Sequence, residues 1–233
     1  WISIYWIFAI LSLGMIVLIT TFTVPKTKLK ENEKVGSRDS YFVLLKNKLV
    51  ILYFIGIFAY VGVEQGISYW MTKFLKIYHG LDFETVGATA VANFWGLLTI
   101  GGLLGLILLK IMDSKLVLKV FTILAILFFT TALFGNAYVS LYSFQICGFF
   151  LSVMYPIIIS LALNSVDKHH GSFTGILMTG IMGGAVVQLL IGYISDFTSL
   201  KTGMIVIFIA LGYVLSIGFW AKPIIQNKTI SLN

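Results

Sequence analysis

Tyr60-Val61-Gly62-Val63-Glu64-Gln65-Gly66-Ile67-Ser68-Tyr69-Trp70 sets a carboxyl and a carboxamide side by side in a segment that is otherwise apolar from about Leu49 to Met71. At membrane depth a carboxylate costs about 3 kcal/mol on insertion scales, so it tends to face a water-filled cavity and mark a ligand or proton path. Ser68, four residues after Glu64, falls on the same helical face. Around this stretch the composition is that of an integral membrane protein. Apolar residues make up 59% of the chain and charged residues 11%, with a mean hydropathy of +1.00, against about 25% charged in soluble domains.

A hydrocarbon core about 30 Å thick takes about 20 residues of helix. Seven runs reach that length, approximately 1–24, 49–71, 86–109, 116–134, 137–163, 173–194 and 203–221. Their unbroken apolarity excludes the alternating strands of a membrane barrel. The expected fold class is an all-α membrane protein with seven transmembrane helices. The chain opens at Trp1, already inside an apolar run and without a charged leader, so it is expected to be a piece of a longer protein.

Charge fixes the expected orientation. The only long polar segment between spans holds Lys26, Lys28, Lys30, Lys34, Arg38, Lys46 and Lys48, and by the positive-inside rule it is cytoplasmic. Alternation of the spans then puts Lys110, Lys115, Lys119, Lys168, Lys222 and Lys228 on the same side, and only Lys73, Lys76 and Lys201 outside. The net charge of +7 therefore reads as membrane topology rather than as a nucleic-acid surface. Cys147 is the single cysteine, so no intrachain disulfide forms.

Within the spans, glycines recur at four-residue spacing as Gly62/Gly66, Gly101/Gly105, Gly171/Gly175 and Gly180/Gly184. Small residues so spaced let helix backbones approach in lipid. Pro156 lies deep in the fifth run, where it removes a backbone hydrogen bond and bends the helix. Gly101-Gly102 followed by Asp113, and Gly183-Gly184 followed by Asp196, echo each other on spans of opposite orientation. Inverted repeats in secondary transporters give that pattern.

Taken in order, Tyr60-Val61-Gly62 with Glu64, Gly101 with Gly105, Tyr155-Pro156 with Ser160-Leu161, Gly171-Ser172, Met178-Thr179, Gly183-Gly184 and Gly192-Tyr193-Ile194-Ser195-Asp196 resemble the second half of a major facilitator superfamily transporter. Within it the chain is most similar to the fucose/galactose/glucose symporter family. The resemblance implies that the seven runs are the sixth helix plus the C-terminal six-helix bundle of a twelve-helix carrier. Residues 1–24 would then close the N-terminal bundle, 25–48 form the central cytoplasmic loop, 49–221 form the second bundle, and 222–233 a cytoplasmic tail. The first five helices would belong to the same protein but lie outside this chain. Two positions depart from the family pattern: Gly102 stands where many members carry Arg, and Gln188 where many carry Pro.

Sugars are neutral and rich in hydroxyls, so their sites combine amides and carboxylates with aromatic faces. Glu64, Gln65, Ser68, Asn93, Trp95, Gln145, Tyr155 and Gln188 are the candidate substrate-binding residues. Glu64-Gln65 resembles the glutamine pair of other sugar carriers with one amide exchanged for an acid. A buried amide serves equally well as glue between helices; for Glu64 the functional reading is preferred, the alternative being a structural group bonded to a neighbouring helix. Trp1, Tyr41, Tyr78 and Trp220 read as interfacial anchors. His169 and His170, beside Asp167 and Lys168, read as a solvated loop without a third metal ligand.

The chain has no phosphate-binding Gly-Lys loop, no His/Glu metal helix, and no Ser or Cys paired with His at membrane depth. An enzyme is not expected, nor a cofactor or metal. The expected function is secondary active transport of a sugar or similar polar solute by alternating access, coupled to H⁺ or Na⁺. The expected partners are the small-molecule substrate, the coupling ion and the lipid bilayer, with no nucleic acid, and the carrier acts as a monomer in a bacterial inner membrane. Alternatives are a major facilitator exporter of another small molecule, a seven-helix receptor or sensor, and a non-transporting scaffold.

Overall fold

The structure, a computed structural model, describes residues 2–22 and 38–224, with backbone only at 38–40. Trp1, Lys26, Lys28, Lys30, Lys34, Lys228 and the side chain of Arg38 therefore lie outside the described residues. Every described element is helical. In chain order they are α1 (Ile2–Thr21), α2 (Arg38–Lys46), α3 (Lys48–His79), α4 (Ala88–Ile111, entered through a π-helical turn Phe83–Gly87), α5 (Ser114–Phe134) and α6 (Ala137–Leu151). There follow α7 (Met154–Leu163), α8 (His170–Thr179), α9 (Gly183–Phe197), α10 (Leu200–Met204) and α11 (Val206–Trp220).

Among the described residues seven helical segments are long and apolar enough to cross a membrane: Ile2–Thr21, Lys48–His79, Phe83–Ile111, Ser114–Phe134, Ala137–Leu163, His170–Phe197 and Leu200–Trp220. That is the expected number, each overlapping its expected run. α1 forms a unit of its own, apolar around its whole circumference. α2 onward form the second unit. α2 is a short helix within the polar segment that separates the first two spans.

α3 is the axis of the second unit and packs against α4, α6, α7, α8, α9 and α11. Asn47 caps its start by accepting from Leu49 N–H at 3.0 Å. Its end is closed by Gly80 at φ 65°, a left-handed position suited to glycine, with Gly80 N–H donating to Lys76 and Leu81 N–H to Leu75. The helix thus runs two turns beyond the apolar stretch that ends at Met71. Its last turns are polar outside and buried inside: Lys73 and Lys76 are exposed while Phe74 and Leu75 are buried. Lys73 also lies 5.0 Å from the Trp70 ring centroid, an arrangement that holds a cation on the span's aromatic end.

Where helices cross most closely, glycine permits it. A Cβ on Gly183 would lie 2.7 Å from the carbonyl carbon of Phe58, so α9 meets α3 backbone to backbone. Gly148 stands in the same relation to Phe94, bringing α6 against α4. Lipid supplies no hydrophobic force between helices, so such close contact is what holds them.

Three of the described spans are interrupted, the seventh at Ile205 between α10 and α11. The fifth breaks between Leu151 and Met154, four residues before Pro156, whose ring excludes the bond to the Ser152 carbonyl. The sixth tightens to a 3₁₀ turn at Gly180–Met182, where a Cβ on Gly180 would lie 3.1 Å from the Ile57 side chain and 3.2 Å from the Phe54 carbonyl oxygen. The interruptions of the fifth and sixth spans border the same cleft, which is where irregular backbone at membrane depth is tolerated.

Candidate functional site

A cleft of about 360 Å³ is lined by Tyr60, Val61, Glu64 and Gln65 of α3, Leu98 of α4, Ser152 and Ile181 at the two breaks, and Tyr155 and Pro156 of α7. Tyr60 and Glu64 are one turn apart, so they share a helix face, and the Tyr60 hydroxyl donates to Glu64 Oε2 at 2.5 Å. Gln65 Nε2 donates to Glu64 Oε1 at 3.4 Å. Each carboxylate oxygen thus has one donor from the chain, and an ionised carboxylate has room for about four. Among the described residues no further side chain donates to Glu64, which lines the cleft. No ion pair involves Glu64 among the described residues, so its charge is not neutralised by a lysine or arginine there.

Aromatic surface also lines the cleft. The Tyr60 and Tyr155 rings sit 5.8 Å apart, tilted at 46°, and the Tyr155 hydroxyl points to Met178 Sδ at 3.5 Å. Ser152 Oγ donates to the Phe149 carbonyl at 2.7 Å, taking up part of the polarity that the break exposes. An acid, an amide and two tyrosines on one small cavity form a surface that accepts hydroxyl protons and covers the C–H face of a ring.

The candidate residues divide among several places. Glu64, Gln65 and Tyr155 line this cleft. Ser68 is buried, and its hydroxyl donates to the Gln65 carbonyl at 3.2 Å rather than lining the cavity. Gln188 Nε2 donates to that same carbonyl at 3.2 Å, and the Gln188 carbonyl accepts from Trp70 Nε1 at 3.3 Å. Gln188 therefore ties α9 to α3.

Asn93 and Gln145 form a second polar group. Asn93 Nδ2 donates to Gln145 Oε1 at 3.0 Å, joining α4 to α6, and both line a separate cleft of about 590 Å³ with Glu84, Thr89 and Tyr142. Trp95 lines neither cleft and stands edge-on to Phe94 at 5.6 Å. Tyr60, Ser152, Leu98 and Ile181 belong to the first cleft without having been singled out for it. For Tyr60 a signal existed, since it precedes Glu64 by one turn; for the other three, only the tertiary packing reveals it.

Of the aromatic residues read as anchors, Trp220 packs on Tyr53 at 5.0 Å, and the Tyr78 hydroxyl accepts from Lys201 N–H at 3.2 Å. Tyr41 is partly buried against the core. His169 adopts a left-handed backbone at φ 63° and leads directly into α8. Among the described residues no cluster of His, Cys, Asp or Glu is arranged to hold a metal.

Apolar spans packed through glycine, two of them broken around a polar cleft that holds an acid, define a polytopic integral membrane protein built as carriers are. Residues 1–187 match the family model described as Major Facilitator Superfamily. The chain belongs to the Major Facilitator Superfamily. It is 31% identical over 216 residues to a glucose/galactose transporter of Brucella abortus, covering 91% of this chain and 52% of that protein. It is 28% identical over 146 residues to the L-fucose-proton symporter of Escherichia coli, covering 60% of this chain and 32% of that protein. Its fold matches the crystal structure of FucP, a superfamily transporter in the outward conformation, with a TM-score of 0.81 at 19% identity, covering 94% of this chain and 54% of FucP. The chain spans about half the length of the glucose/galactose transporter that it resembles.

Proposed function

We propose that this chain supplies one wall of a sugar transporter that works by alternating access with H⁺ coupling, and that the cleft around Glu64 is its share of the substrate site. The observation that carries the reading is the cleft itself, an acid with spare acceptor capacity beside Gln65 and two tyrosines, bounded by two broken helices. The names of the similar proteins, a glucose/galactose transporter and an L-fucose-proton symporter, support a hexose as the solute and a proton as the coupling ion. A second helical bundle of the same protein would close the site from the opposite side. The protein acts as a carrier rather than an enzyme, in a bacterial inner membrane, with the lysine-rich segment and the C-terminus in the cytoplasm.

In this scheme hydroxyl groups of the sugar donate to Glu64 and to Gln65 Oε1, while the tyrosine rings cover its apolar face. The test is uptake of labelled hexoses by the full-length protein in proteoliposomes, with imposed H⁺ or Na⁺ gradients. Accumulation of glucose, galactose or fucose driven by a proton gradient is expected. Indifference to every sugar would end the sugar assignment, and accumulation driven only by Na⁺ would end the proton assignment.

A further inference from the structure

We propose that the cleft between the start of α5 and the ends of α7 and α11 binds the phosphate-bearing headgroup of an anionic membrane lipid. The cleft has a volume of about 510 Å³, and Lys115, Lys119 and Lys222 line it together with Asp113 and Asn164. Three ammonium groups against one carboxylate leave it net positive. The Asp113 carboxylate is already engaged, accepting from the N–H groups of Lys115 at 2.9 Å and Leu116 at 3.1 Å as the cap of α5. Lys115 Nζ donates once, to the Ala221 carbonyl at 2.7 Å, which leaves two of its protons free. Lys119 Nζ lies 5.2 Å from the Phe219 ring centroid. Among the described residues none of the three ammonium groups is paired with a carboxylate. Cations that share a cavity repel one another unless an anion lies among them.

The location selects the kind of anion. Ser114 opens α5, Leu163 closes α7 and Trp220 closes α11, so three span ends set the cleft at headgroup depth, on the face to which the lysine bias assigns the cytoplasm. Next to it, Leu116, Val120 and Ile123 follow one another along α5, and they are exposed, as is Phe219 on α11 at 66%. A polar cationic mouth continuous with an outward-facing apolar strip fits an amphiphile with a phosphate at one end and acyl chains at the other. A free phosphate ion shares the headgroup's chemistry but would leave the strip unused.

The full-length protein in nanodiscs of pure phosphatidylcholine, or with added phosphatidylglycerol, tests this by thermal stability and by native mass spectrometry of retained lipid. Phosphatidylglycerol is expected to be retained and to raise the melting temperature, and inorganic phosphate in pure phosphatidylcholine to do neither. Each lysine near a headgroup contributes about fivefold, so Lys119→Gln with Lys222→Gln should weaken phosphatidylglycerol retention about thirtyfold. Lys115 is left in place because it also holds the end of α11. Lys119→Arg with Lys222→Arg should restore retention, which separates lost binding from lost folding. Equal retention by the wild type and the glutamine variant would overturn the proposal. So would stabilisation by inorganic phosphate with no response to phosphatidylglycerol.

Discussion

Glu64 receives hydrogen bonds from Tyr60 and Gln65 of its own helix, so its acceptor atoms are oriented before any ligand arrives. Removing one hydrogen bond to a charged group forfeits about 1.5–3 kcal/mol. Tyr60→Phe should therefore raise the KM for the transported sugar by about tenfold to a hundredfold, measured by uptake in proteoliposomes, with protein yield unchanged. Glu64→Gln keeps the shape but removes the charge, and proton-driven accumulation should fall by more than tenfold. Gln188→Leu belongs to a different category, because its amide donates to the Gln65 carbonyl from α9. Interhelical hydrogen bonds of this kind contribute about 0.6–2 kcal/mol, so the variant should lower the melting temperature while shifting KM far less than Tyr60→Phe. Glu64 and Gln65 were legible from the chain because an acid within an apolar run demands an explanation. The separate employment of Gln188, and the pairing of Asn93 with Gln145 across 52 positions, were not. Both depend on which helices become neighbours, and no local pattern records that.

At the level of elements, length and apolarity made the spans visible, and Pro156 made the break at Ser152 visible. The turn at Gly180–Met182 has no proline to announce it, and it lies where a Cβ on Gly180 would crowd Ile57 and the Phe54 carbonyl. The end of α3 was hidden for another reason. Hydropathy falls after Met71, yet the helix continues because Phe74 and Leu75 are buried on one face while Lys73 and Lys76 reach outward. Close crossings give a direct prediction. Gly183→Val would drive a side chain into the Phe58 backbone and should abolish a folded monodisperse protein in detergent, whereas Gly102→Ala, with no atom within 4 Å of the added carbon, should leave the elution profile unchanged. The turn into α4 adds a dependence on pH. The Asp82 carboxyl is held below its usual range, first by the Thr85 hydroxyl at 2.6 Å and then by the Thr85 N–H at 2.8 Å. A depressed pKa means that this cap stabilises the fold above the ordinary carboxylate value of about 3.9 and is lost as pH falls through the lower folded value. Thermal stability of the wild type should lose this contribution on acidification below about pH 4, while Asp82→Ala should lack it already at neutral pH.

For the whole molecule, the chain belongs to the superfamily and spans about half the length of the glucose/galactose transporter that it resembles, and in the proposed carrier a second bundle would face the Glu64 cleft. A seven-helix receptor remained open on span number alone; the match of residues 1–187 to the superfamily model decides the family. The central claim is that the Glu64 cleft is open to water and occupied by the transported sugar. It is tested most directly by labelling a single cysteine introduced at Ile181, which lines the cleft and is 48% exposed, in full-length protein lacking other reactive cysteines. A polar maleimide should label Ile181→Cys in native membranes, the transported hexose should slow that labelling, and Ser68→Cys, buried off the cleft, should resist the reagent throughout. Labelling at Ile181→Cys that no hexose slows, or no labelling at all, would contradict the account.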